Sequence, residues 1–228
     1  VTIATTGNAI DFGDLTLARY GLAACSDGTK GVFGGKYNNG DTIDYVTIAS
    51  TGNATDFGDL TVPRGYLAAC SDGTKGLFGG GTTGSNSNVI DYITIATTGN
   101  ATDFGNLSVG RFYVSACSNR SRGLFGGGKT SSQSNVIDYV TIGTTGNASD
   151  FGNLTASRNG PGACSDGTKG LWGGGNTGSV SNVIDYITIA TTGNASDFGN
   201  LSVSRKLLSA CSDKTKGLFG GGDTGSTS

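Results

Sequence analysis

Cys70-Ser71-Asp72-Gly73-Thr74-Lys75-Gly76-Leu77-Phe78-Gly79-Gly80-Gly81 decides how the chain is read, because close copies of it return four more times. Ser71-Asp72-Gly73-Thr74 is a tight-turn signal between one apolar run, Tyr66 to Cys70, and a second that ends in glycines, which is how a two-stranded hairpin is written. Working outward, Ile90-Asp91-Tyr92-Ile93-Thr94-Ile95 is rich in β-branched and aromatic residues and reads as a third strand. Asp103-Phe104-Gly105 and Leu107 follow the turn-like Thr98-Gly99-Asn100 and supply a fourth. Counterparts of these strands recur at Ile43, Ile137 and Ile184, and at Phe12, Phe57, Phe151 and Phe198.

Arg19, Arg64, Arg111, Arg158 and Arg205 set the period: 45 residues once and 47 thereafter. A period in the forties with four strands per unit signals a β-propeller blade, since one four-stranded sheet cannot bury both faces alone and must pack against its neighbours. The expectation is all-β: a single domain over 1–228, a five-bladed β-propeller of four-stranded antiparallel blades. Its ring closes because N-terminal strands, beginning at Val1-Thr2-Ile3-Ala4, share one blade with the C-terminal pair that ends at Gly220-Gly221-Gly222.

Composition narrows the function classes. Glycine supplies 42 of 228 residues without a three-residue period and with only 2 prolines, so it belongs to turns and close backbone contacts and not to collagen or linkers. A net charge of -2 and a pI near 4.9 argue against a nucleic-acid phosphate partner. No run of 18 apolar residues occurs, which argues against membrane insertion. The chain starts at Val1 with no methionine and no basic-then-apolar leader, which reads as a processed or excised segment.

Cys25, Cys70, Cys117, Cys164 and Cys211 each stand six residues after an arginine. An odd, evenly spaced set is not a disulfide framework. It reads as a small apolar side chain buried between blades beside Ala24, Ala69, Ala116, Ala163 and Ala210, in a chain assembled in a reducing cytoplasm. With no histidine and no cysteines at ligand spacing, no metal site and no cofactor site is expected. A buried arginine needs a carboxylate. Asp11, Asp56, Asp103, Asp150 and Asp197 are the expected partners because they occur in all five repeats, whereas Asp44, Asp91, Asp138 and Asp185 number only four.

The order arginine, apolar strand, aromatic with a glycine doublet, aspartate-tyrosine, aromatic, leucine and arginine resembles the kelch repeat. It runs here as Arg64, Leu67 to Cys70, Phe78-Gly79-Gly80, Asp91-Tyr92, Phe104, Leu107 and Arg111. Phenylalanine stands where that pattern usually has tryptophan. The near-identity of the repeats is similar to kelch-like repeat proteins of marine bacteriophages, which implies a virion or tail-fibre component and carries no catalytic residues. Asp-Phe-Gly occurs five times with no kinase context, the glycine triplets precede no helix, and Asn53, Asn100, Asn147 and Asn194 read as turn-stabilising asparagines more than glycosylation sites.

Function is expected where the repeats differ. Directly after the arginines stand Tyr20-Gly21, Gly65-Tyr66, Phe112-Tyr113, Asn159-Gly160 and Lys206-Leu207, and the loops after the glycine runs differ too. In an up-and-down blade these two features share a face. The reading is a non-enzymatic binding or display module on a virion or extracellular surface, contacting a cell-surface glycan or protein through Tyr20, Tyr66, Phe112, Tyr113, Asn159 and Lys206, with other virion proteins as partners. A purely structural propeller is the alternative. An enzyme comes third, since no nucleophile and base or paired carboxylates stand apart from the repeated scaffold.

Overall fold

The computed structural model describes residues 7–38 and 40–225. They form an all-β chain with no helix. The first blade comprises β1 (Ala23–Ser26), β2 (Lys30–Lys36), β3 (Gly40–Thr47) and β4 (Thr55–Asp59), and the second β5 (Ala68–Ser71), β6 (Lys75–Gly79), β7 (Val89–Thr94) and β8 (Thr102–Asn106). The third comprises β9 (Ser115–Ser118), β10 (Arg122–Gly126), β11 (Val136–Thr141) and β12 (Ser149–Asn153), and the fourth β13 (Gly162–Ser165), β14 (Lys169–Gly173), β15 (Val183–Thr188) and β16 (Ser196–Asn200). A two-stranded sheet, β17 (Ser209–Ser212) with β18 (Gly217–Gly220), follows. Each full sheet is antiparallel in simple sequence order, and the first strands of all five sheets line one axial channel past Ala24, Ala69, Ala116, Ala163 and Ala210. The arrangement is propeller-like.

Burying both faces of every sheet makes period-two alternation serve two interfaces. In the second blade Ile93 and Ile95 pack with Val32, Ile43 and Phe57 of the first, while Ile90 packs with Phe125 and Val140 of the third. From the second unit onward, the aromatic on the second strand lies over a glycine of the preceding blade. A Cβ on Gly79 would stand 2.6 Å from the Phe125 ring, and Gly34 and Gly126 meet Phe78 and Trp172 in the same way.

The arginines are paired with Asp44, Asp91, Asp138 and Asp185, at 3.0, 2.7, 3.0 and 3.1 Å, with the side chains essentially excluded from solvent. Asp56, Asp103 and Asp150 lie on fourth strands instead, opposite those very aspartates. Asp11, Asp103 and Asp197 accept N–H bonds from the glycine two residues on. The expected partner set is therefore wrong. A register shift between Ile90 and Asp91, repeated at Ile43/Asp44, Ile137/Asp138 and Ile184/Asp185, marks the place on the third strand where the carboxylate stands.

The turn asparagines hold their turns through partners more distant than their own turn backbone. Asn53, Asn100, Asn147 and Asn194 accept, through Oδ1, the backbone N–H of Asp14, Asp59, Asn106 and Asn153 at 3.0 to 3.1 Å. They fasten their turns to the preceding unit, about forty residues earlier in the chain, and not to neighbouring backbone of the same turn.

The expected closing strand at Val1 to Ala4 lies outside the described residues. Residues 11–16 lie against the first blade as β4 lies against the second: Gly52 and Ala54 donate to Phe12 and Asp14 as Gly99 and Ala101 donate to Phe57 and Asp59. Among the described residues they pair with no third strand, so they form no sheet. At the other end, Gly220 and Gly221 face open space where Gly173 and Gly174 meet Phe219 and the Arg205 carbonyl. The described residues thus make four blade-to-blade junctions.

This openness corrects the expected burial of all five cysteines. All are free; Cys70, Cys117 and Cys164 are buried, Cys25 is half-buried and Cys211 is exposed, because among the described residues no following blade covers β17. Each covered Sγ abuts a glycine of the next blade, as Cys117 does Gly170. Burial pushes the Cys70 and Cys117 thiols well up and that of Cys164 up to about 11. Under native conditions Cys211 should react with a thiol reagent first and Cys70 and Cys117 last, as mass spectrometry of a labelling time course would show; equal rates would contradict this packing. Replacing Asp138 with Asn leaves Arg111 charged, buried and unpaired, and should cost about 3 to 5 kcal/mol in urea denaturation.

Candidate functional site

The residue two places after each arginine adopts left-handed backbone in every unit: Gly21, Tyr66, Tyr113, Gly160 and Leu207 have φ of 73°, 57°, 54°, 63° and 56°. A chain of hydrogen bonds accompanies it. Tyr66 N–H donates to the Gly21 carbonyl (2.6 Å), Tyr113 to Tyr66 (2.9 Å), Gly160 to Tyr113 (2.8 Å) and Leu207 to Gly160 (2.7 Å), so a backbone belt runs from unit to unit around one mouth of the channel. Glycine takes this conformation freely, whereas an L side chain there costs about 1 kcal/mol or more. Tyr66, Tyr113 and Leu207 bear that cost.

The belt projects an aromatic cluster. Ring centroids lie 4.4 Å apart for Tyr66 and Tyr113, 4.8 Å for Phe112 and Tyr113, 5.0 Å for Tyr37 and Tyr66, and 5.2 Å for Tyr20 and Tyr37. Tyr20 is 58% exposed. Burial, with the Tyr113 and Tyr37 phenols alongside, pushes the Tyr66 hydroxyl up to about 12, so it stays a neutral donor across the physiological range. Beside the rings opens a cleft of about 490 Å³ lined by Tyr37, Asn38, Thr82, Thr83, Gly84 and Phe112. The loops reach this face because the lead-in to each first strand bridges the loop after a second strand, Gly65 to Thr82 and Phe112 to Lys129.

Of the residues expected to bind, the structure brings together Tyr20, Tyr66, Phe112 and Tyr113. Asn159 is only 7% exposed, tied by its backbone to Asn176, and is unavailable. Lys206 stands apart, paired with Asp223 at 3.4 Å. Tyr37 was missed by the sequence reading. It sits in a loop that differs between repeats, and its Tyr20-bonded backbone (3.0 Å) is what carries it into the cluster.

The opposite mouth is less uniform than its hairpins suggested, since Arg120 and Lys214 occupy left-handed positions that Gly28, Gly73 and Gly167 take elsewhere. Its carboxylates are engaged: Asp27 and Asp166 each accept two turn N–H bonds at 2.6 to 2.7 Å. Lys30 and Lys75 reach the next blade, donating to the carbonyls of Ala96 (2.8 Å) and Gly143 (3.2 Å) over the rings of Tyr45 and Tyr92. These lysines serve the blade junctions.

No protein-family model matches the chain, and no curated protein matches it either. The half-exposed Leu207 isolates the backbone cost from the cluster. Leu207→Gly should raise stability by about 1 kcal/mol in chemical denaturation, and a loss of stability would show that its contact with Gly160 outweighs the strain.

Proposed function

We propose that the protein is a non-enzymatic binding module whose aromatic face takes a carbohydrate displayed on a cell surface. One observation carries this reading. Five aromatic side chains gather on one face, four of them at positions where sister units carry glycine, asparagine, lysine or leucine, and two of the tyrosines are held in backbone that favours glycine. The scaffold does not require them, and exposed aromatics of this extent mark contact surfaces.

The chemistry suits a sugar. The apolar C–H face of a pyranose lies on the electron-rich face of a tyrosine ring, and hydroxyls at its rim meet Asn38, Thr82 and Thr83 across the cleft. Tyrosine presents such area with few rotatable bonds, so little conformational freedom is lost on binding. The resemblance of the repeat to kelch-like proteins of marine bacteriophages supplies a setting, a virion or tail-fibre component, in which a sugar-reading face attaches a particle to its host.

Replacing Tyr66 and Tyr113 with glycine removes two rings and relieves two strained residues together. The double variant should retain its fold and melting temperature within a few degrees and lose at least about tenfold in affinity for any glycan that the native chain retains on an array. Undiminished binding by the variant, or no glycan retained by the native chain, would leave a purely structural propeller as the better reading.

A further inference from the structure

The hairpin mouth, opposite the aromatic cluster, departs from repetition in its own way. The tips of the five first hairpins read Ser26-Asp27-Gly28, Ser71-Asp72-Gly73, Ser118-Asn119-Arg120, Ser165-Asp166-Gly167 and Ser212-Asp213-Lys214. Asn119 holds its turn as the aspartates do, its Oδ1 accepting the N–H groups of Ser121 (3.0 Å) and Arg122 (2.7 Å), but it brings no charge. Arg120 and Lys214 take the left-handed place of glycine, at φ of 73° and 74°. Relative to Asp-Gly, the third hairpin has lost an anion and gained a cation, and the fifth has gained a cation.

Both basic residues line one cleft of about 340 Å³ at this end of the channel. Among the described residues neither the Arg120 guanidinium nor the Lys214 ammonium has a hydrogen-bond or ion-pair partner. By contrast, Lys30, Lys75 and Arg122 donate to carbonyls of the next blade, and Lys169 lies over the Tyr186 ring. A ladder of serine hydroxyls crosses the same mouth: Ser71 donates to the Ser26 carbonyl (2.6 Å), Ser118 to that of Ser71 (2.7 Å) and Ser212 to that of Ser165. Ser165 breaks it. Its hydroxyl accepts the Gly167 N–H (2.9 Å) but, like that of Ser26, donates to nothing among the described residues. Ser165 also stands in the unit between those that carry Arg120 and Lys214.

We infer that this cleft binds a doubly charged tetrahedral oxyanion, a phosphate or sulfate group, with Arg120 and Lys214 on either side and the Ser165 hydroxyl donating from between them. A guanidinium offers paired N–H groups to two oxygens of such a group, and an ammonium and a hydroxyl serve the others. Glycine at positions 120 and 214 would ease the backbone and remove the donors, so the turn itself does not call for either side chain. Asp27 and Asp166 line the cleft as well and oppose an anion there. Hydrogen bonds from the turn amides hold both carboxyls below the usual range, so both stay charged. Their opposition limits affinity and gives the site a sign that can be tested, because Asn119 shows that asparagine keeps this turn without the charge.

Inorganic phosphate, titrated into the full chain at about pH 8, where it is doubly charged, and at constant ionic strength, should shift the NMR amide signals of Arg120, Gly167 and Lys214 saturably, and sulfate should do the same. Arg120→Gly and Lys214→Gly each restore what sister units carry, so both variants should keep the native pattern of amide signals; each should bind phosphate at least about threefold more weakly. Asp166→Asn should bind it about twofold more tightly or better. Glycerol 2-phosphate, run beside the free ion, separates the two sources of the group: equal or higher affinity assigns the site to a terminal phosphate of a larger ligand, and binding of the free ion alone assigns it to the ion. Shifts that rise without saturating would overturn the proposal. So would native affinity in both glycine variants, or weaker binding by Asp166→Asn than by the native chain.

Discussion

A guanidinium buried against a carboxylate in each of the four full blades is the constraint on which the blades depend. Arg64 illustrates it: Nη1 meets Asp91 at 2.7 Å, Nε donates to the Gly80 carbonyl at 2.8 Å and Nη2 to that of Phe78 at 3.0 Å. Asp91 in turn accepts the backbone and hydroxyl of Thr61, which leaves the preceding blade. Burial draws the arginines downward in pKa at Arg19, Arg111 and Arg158, and the paired aspartate opposes it. Such a pair adds little net stability over a well-packed apolar contact, but leaving it half-made is expensive. It therefore fixes position more than it adds strength: the lead-in, the second and third strands and the exit of the preceding blade meet at one carboxylate.

Around that point the sheets interlock by shape. An aromatic from one blade occupies the space of a missing Cβ on the last, and a cysteine does the same in the other direction, so neighbouring sheets approach more closely than side chains on both would allow. The packing is directional, each unit presenting one kind of face forward and another backward. Among the described residues, the β17–β18 sheet is the one that presents such a face uncovered.

The mouth of the channel carries a different economy. Its hydrogen-bonded belt needs one left-handed residue per unit. Glycine would satisfy that requirement with least strain, and does so at Gly21 and Gly160. Tyrosine at two of the other positions imposes strain without improving the belt, and the rings so placed touch one another and Tyr37 across three units. Aromatic side chains on the left-handed positions of one mouth and polar, internally bonded hairpins on the other distinguish the two mouths physically.

The strand order, the repeat length and the placing of Tyr20, Tyr66, Phe112 and Tyr113 beside the loops were legible in the residues themselves, because alternation, turn signals and the spacing of arginines are local properties. The arginine's partner was not. Counting favoured Asp56 and its equivalents, but which of two aspartates on adjacent strands meets the guanidinium depends on the register shift after Ile90, and that is set only when the two strands pair. Nor could sequence spacing show that Asn100 bonds a neighbouring blade, that Asn159 is buried, that Tyr37 joins the cluster or that Cys211 lies open. Each depends on which loops, strands and sheets come to lie against which, and contacts between residues well separated in the chain leave no mark on the local pattern of either.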